Sequence, residues 1–102
     1  MQLHRISTIS EIPPGGARAF EVAGRRIAVF NSEGNFFAID DTCPHQGGPL
    51  SEGMVEDGCV TCPWHGAMFE LSTGKEQTSI AGQDVCRHTL VVFGDELSVE
   101  IE

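Results

Sequence analysis

Near the end of the chain Leu97, Val99 and Ile101 alternate with Ser98 and Glu100. A period of two puts one apolar and one polar face on a strand. Residues 85–93 precede it across Gly94-Asp95-Glu96, which predicts a closing hairpin. The same pattern runs through the first half. Residues 3–6 read as a short strand, and Pro13-Pro14-Gly15-Gly16 breaks the chain after it. Residues 17–22 and 25–30 flank Ala23-Gly24 as a hairpin, and residues 36–39 follow the turn Ser32-Glu33-Gly34-Asn35. Asp57-Gly58 between residues 54–56 and 59–61 is a strong two-residue hairpin signal. Residues 67–71 form one more strand, turned by Ser72-Thr73-Gly74. No apolar spacing of helical period has useful length. The expected class is all-β. An antiparallel sandwich or barrel base carries a small inserted β subdomain at about residues 41–70, within one domain spanning 1–102.

The 102 residues suffice for one domain with a modest core. No run of about eighteen apolar residues exists, so no membrane span is expected. Met1-Gln2-Leu3-His4-Arg5 lacks the apolar stretch of a secretory signal. A cytoplasmic, reducing setting is therefore expected, with Cys59 and Cys86 as small buried strand residues rather than a bridge. The net charge is −9 with no basic stripe, which argues against binding to nucleic acid. Between Ile27 and Gly74 there is no Lys or Arg, whereas Glu33, Asp40, Asp41, Glu52, Glu56, Asp57 and Glu70 lie there. This span predicts an acidic face for a basic partner.

The same span holds the candidate chemistry. Cys43-Pro44-His45-Gln46-Gly47-Gly48-Pro49-Leu50 and Cys62-Pro63-Trp64-His65-Gly66-Ala67-Met68-Phe69 each offer one thiolate and one imidazole. The spacings are Cys-x-His and Cys-x-x-His, with sixteen residues between His45 and Cys62. Pro44 and Pro63 fix the backbone after each cysteine, and the glycines permit a tight wrap. Two such loops face to face make a metal site of two sulfurs and two nitrogens. Zinc also accepts that donor set. Zinc fingers, however, pair Cys with Cys on one knuckle and His with His on a helix, whereas each loop here mixes the two. Trp64, between the ligand positions, is expected to shield the site by burial. His4 and His88 receive no role.

The two stretches resemble the binding signature of Rieske [2Fe–2S] proteins, in which two His replace two Cys on one iron. The resemblance covers about residues 40–75. It implies one [2Fe–2S] cluster, with Cys43 and Cys62 on the inner iron and His45 and His65 on the outer. It further implies a one-electron carrier, not itself an enzyme. Such a monomer serves between an NAD(P)H-dependent flavoprotein reductase and a terminal oxygenase, often a ring-hydroxylating dioxygenase. One alternative is the small Rieske subunit of an NADH-dependent nitrite reductase, partnered by that enzyme's large subunit. Another is a zinc-stabilised interaction module. Many family members cover the cluster with a proline-rich loop, but residues 77–83 contain no proline. High-potential relatives carry Cys at the positions of Gly48 and Trp64, Ser at Ala67 and Tyr at Phe69. Their absence implies a potential near the bottom of the family range.

Overall fold

A computed structural model describes residues 2–44, 47–64 and 66–101. Among these residues nine strands run β1 Gln2–Thr8, β2 Ala17–Val22, β3 Arg25–Ser32, β4 Asn35–Asp40, β5 Met54–Glu56, β6 Cys59–Thr61, β7 Met68–Glu70, β8 Arg87–Phe93 and β9 Glu96–Ile101. The only helical elements among the described residues are 3₁₀ turns at Ile9–Glu11 and Leu50–Glu52. No helix among them is long and apolar enough to cross a membrane.

Two-residue turns set the register of the hairpins. Ala23, Glu33 and Asp57 have φ of 51°, 53° and 53°, and the glycine after each is also positive. Both central residues are then left-handed, as in the type I′ turns whose twist matches paired strands. The turn at Glu33-Gly34 pairs Ser32 with Asn35, and the count runs back to Ile27 opposite Asp40.

All pairings are antiparallel. The base is a six-stranded, nearly closed sheet in the order β1-β9-β8-β4-β3-β2. β5-β6-β7 form a separate three-stranded sheet. In sequence it lies between β4 and β8, which are neighbours in the base and pair at Ala38–His88 and Ile39–Arg87. The chain therefore leaves the base after Asp40, builds the small sheet and its loops, and returns beside its point of departure.

β3 explains why the two sheets hold together. Ile27 and Val29 point into a core with Ile12, Val22, Ala38, Leu97 and Val99 inside the base. Ala28 and Phe30 point the other way, into a core with Val60 and Phe69 from the small sheet and Leu50 and Leu71 beside it. Successive side chains of a strand face opposite sides, so one strand buried on both faces serves two cores. The expected base and inserted β unit are both present. The ends differ slightly: β8 begins at Arg87 rather than at residue 85, and β7 at Met68 rather than at 67.

Candidate metal centre

The two cysteine loops close in the same way. The Cys43 N–H donates to Gly48 O at 2.9 Å, and the Gly47 N–H donates back to Cys43 O at 2.8 Å. In the second loop the Cys62 N–H donates to Ala67 O at 2.7 Å, and the Gly66 N–H to Cys62 O at 3.1 Å. Each cysteine is thus bonded to the residues four and five places on. The residue four places on is glycine both times, with φ of 78° and 79°. A side chain there would strain the turn, so Gly47 and Gly66 are needed for their backbone. The differing His spacings sit inside loops of one length and one closure.

Both sulfurs are in the interior. Cys43 is 1 % and Cys62 2 % exposed, in the same buried group as Leu50, Ala67 and Phe69. The loops meet at Gly48. A Cβ placed there would stand 2.9 Å from Cys62 Sγ and 3.0 Å from Trp64 Cγ. Glycine at 48 therefore keeps the space beside one sulfur clear. The structure thus brings Cys43 and Cys62 together, while His45 and His65 lie outside the described residues. Two cysteine sulfurs buried in one apolar cluster fit an iron–sulfur group, for which soft sulfur donors are the natural ligands. Trp64 departs from expectation. It is 55 % exposed rather than buried, with Cγ and Cδ2 of its ring close to Gly48.

The segment entering the first loop is anchored by charge. Asp41 is 1 % exposed; Arg26 Nε donates to one carboxylate oxygen at 2.7 Å, and the Ser51 N–H to the other at 2.7 Å. The Asp41 carbonyl also accepts the Leu50 N–H. One residue thereby ties β3, the start of the loop and the 3₁₀ turn at its end. Next to it, Asp40 lies 2.7 Å from His88 Nε2 and 3.3 Å from an Arg25 nitrogen. These contacts give His88, 8 % exposed, a place at the seam of β4 and β8. Sequence reasoning missed both anchors. Counting the register back from Glu33-Gly34 would have set Asp41 opposite Arg26.

The same pairs correct the expected acidic face. Asp40 and Asp41 are compensated and do not contribute to it. Glu52 is exposed just after the first loop, and Glu33, Glu56 and Asp57 line one shallow cleft with Pro14 and Val55. Cys59 is half-buried in β6, and burial beside Glu70 and Asp57 pushes its thiol pKa up. Cys86 is exposed ahead of β8, against the expectation of a buried strand residue. It sits where the chain rejoins the base, and its carbonyl accepts the Asp40 N–H. Cys59 and Cys86 form no bridge.

Residues 2–79 match the Rieske [2Fe-2S] domain model. The 3-phenylpropionate/cinnamic acid dioxygenase ferredoxin subunit of Photorhabdus laumondii is 48% identical over 71 residues, 69% of this chain and 67% of that protein. The ferredoxin component of biphenyl 2,3-dioxygenase from Rhodococcus jostii is 36% identical over 102 residues, 100% of this chain and 95% of its own. A chain from the complex of reduced oxygenase and oxidized ferredoxin in carbazole 1,9a-dioxygenase superposes with a TM-score of 0.89 at 28% identity, covering 98% of this chain and 97% of that one. Two chains described as nitrite reductase small subunits also superpose, at 19% identity, a likeness that reaches the fold alone. With its paired loops, its all-β base and these relatives, the chain belongs to the Rieske [2Fe-2S] domain family, and its cofactor is one [2Fe–2S] cluster.

Proposed function

We propose that this chain is a mobile one-electron carrier, taking electrons from an NAD(P)H-dependent flavoprotein reductase and delivering them to the terminal oxygenase of a ring-hydroxylating dioxygenase system. What carries this assignment is that full-length relatives named as dioxygenase ferredoxin components share both the sequence and the fold. The chain acts as one unit, as a cytoplasmic monomer, and does not itself transform substrate.

Cys43 and Cys62 would hold the inner iron, and His45 and His65 the outer one. The cluster supplies a site that gains and loses one electron; the protein supplies position and electrostatics. The burial of the two cysteines supports their role, since it keeps water from the sulfurs. Gly48 leaves room beside Cys62, and the two closed loops fix where the thiolates point. Asp41 sets the start of the first loop against the rigid base, so the loop keeps its place when the charge of the centre changes. Exposed Glu52 and Glu56 and the neighbouring cleft offer negative charge to basic partner surfaces, which raises encounter rates more than affinity.

The assignment is tested by electron flow. Reduction by NAD(P)H should require a flavoprotein reductase, and a substrate-loaded terminal oxygenase should reoxidise the reduced protein. Reoxidation by a siroheme nitrite reductase subunit and not by any oxygenase would overturn it.

A further inference from the structure

Residues 77–83 form no regular element and contain no proline, yet Ala81 packs against the buried group that includes Cys43 and Cys62. The bonds that fasten this segment converge on one side chain. Glu76 Oε2 accepts from the Thr78 hydroxyl at 2.7 Å and from the Ala81 N–H at 2.8 Å, and Oε1 accepts from the Gly82 N–H at 3.0 Å. The near end of the segment is tied to the strand that leaves the second cysteine loop. The Gln77 N–H donates to Met68 O at 2.7 Å, and the Met68 N–H reaches Thr78 Oγ1 at 3.4 Å. The Glu76 N–H in turn donates to Asp84 at 2.9 Å, across the mouth of the loop.

A stiff backbone can hold a loop by restricting φ. This loop has no such stiffness, and a carboxylate gathers it from the side instead. Hydrogen bonds to an ionised group are roughly twice as strong as neutral ones. We propose that Glu76 is a positioning residue of the redox centre: its carboxylate clips residues 77–83 closed beside the cysteine loops and so limits water at the buried sulfurs. This inference rests on the electron-carrier assignment above. The clip bonds, that of the Ala81 amide foremost, also hold the Glu76 carboxyl below its ordinary value.

Glutamine has the shape of glutamate but only one acceptor oxygen. In Glu76→Gln, either Gly82 or the Ala81–Thr78 pair then faces an amide NH₂ group. Thr78→Val removes one clip bond, together with the long Met68 N–H contact to the same hydroxyl, and leaves the charge unchanged. Both variants are made in the full chain loaded with its cluster. Three quantities are read: amide exchange at Ala81 and Gly82, the rate of bleaching in air, and the midpoint potential. In Glu76→Gln the two amides should exchange about tenfold faster, the equivalent of one charge-assisted hydrogen bond, while those of β3 stay unchanged. Bleaching should quicken several-fold, and the potential should rise, since both lost negative charge and added water favour the reduced state. Thr78→Val should shift exchange, bleaching and potential in the same directions by less. Unchanged exchange at Ala81 and Gly82 in Glu76→Gln would overturn the clip. So would faster exchange with wild-type bleaching and potential in both variants. A wild-type protein without a visible spectrum would instead sink the carrier assignment, with exchange still deciding whether the loop is clipped.

Discussion

Replacing Gly48 with alanine is the smallest change that reaches the centre. Gly48 is not among the positive-φ glycines, so alanine strains no backbone and only its methyl matters. That methyl would stand 2.9 Å from Cys62 Sγ and 3.0 and 3.1 Å from Trp64 Cγ and Cδ2. Carbon atoms pack best at roughly 3.5–4.0 Å, so neighbours must retreat by about 0.5–1 Å. Trp64 is half exposed and can yield toward solvent, whereas Cys62 is buried and, in its proposed role as a cluster ligand, fixed in place. Overpacking of this kind costs about 1–3 kcal/mol. The control is Gly58→Ala, whose methyl would meet nothing but whose φ of 74° makes the backbone pay about 1–2 kcal/mol. Both variants are assembled anaerobically, and denaturant unfolding is followed together with iron per folded chain. Gly48→Ala should lose stability and iron together; Gly58→Ala should lose stability and keep its iron. Adding Trp64→Ala to Gly48→Ala should recover only the part due to the ring. A Gly48→Ala protein within about 0.5 kcal/mol of wild type, with full iron, would refute the claim that the space at residue 48 is reserved for the sulfur of Cys62.

Arg26→Ala should lower stability by about 1.5–3 kcal/mol, the worth of a hydrogen bond to a charged group, because Asp41 stays buried with one partner fewer; denaturant melts of this variant and of Arg26→Ala with Asp41→Asn, which should recover part of the loss, check it. Glu11 and Glu76 both sit below the ordinary 4.5, Glu11 chiefly through the Ser7 hydroxyl and Glu76 chiefly through the Ala81 amide. Stability from such groups is complete above the unfolded value and lost as pH falls through the folded one, so stability should fall below about pH 4.5, and less steeply in a Glu11→Gln, Glu76→Gln double variant. The wild-type potential should lie near the bottom of the roughly −150 to +300 mV Rieske range, and Ala67→Ser and Phe69→Tyr should each raise it if the new hydroxyl reaches sulfur; voltammetry giving a wild-type value above about +100 mV would show that the missing hydroxyls do not set it. Electron transfer with the true partner should slow as ionic strength rises from about 0.01 to 0.5 M, and Glu52→Lys or Glu56→Lys should slow it without bleaching; a flat salt response would remove the acidic face.

Much of the molecule was legible because short-range rules govern it. The Asp57-Gly58 hairpin falls where its turn chemistry requires, and the closing hairpin follows from the alternation at Leu97, Val99 and Ile101. The paired motifs also located the buried cysteines. What was missed depends on contacts between distant segments. The unbroken apolar run Ile27–Phe30 signals a strand covered on both faces, but not what covers it, since the second cover comes from the inserted unit. Asp41 read as surface charge because its partner, Arg26, lies on another strand. Trp64 read as a buried shield by size, but it is more than half exposed, with part of its ring close to Gly48. Residues 77–83 showed no period at all, because side-chain bonds to Glu76 order them rather than a backbone ladder.

We propose that Cys43, His45, Cys62 and His65 hold the [2Fe–2S] cluster as a mixed-ligand centre. Iron, acid-labile sulfide and zinc should be measured on anaerobically purified protein, with an electron paramagnetic resonance spectrum of the reduced form. The protein should be red-brown, with about two iron and two sulfide per chain and the low average g value of a cluster with two imidazole ligands. A colourless, folded protein with stoichiometric zinc would contradict it.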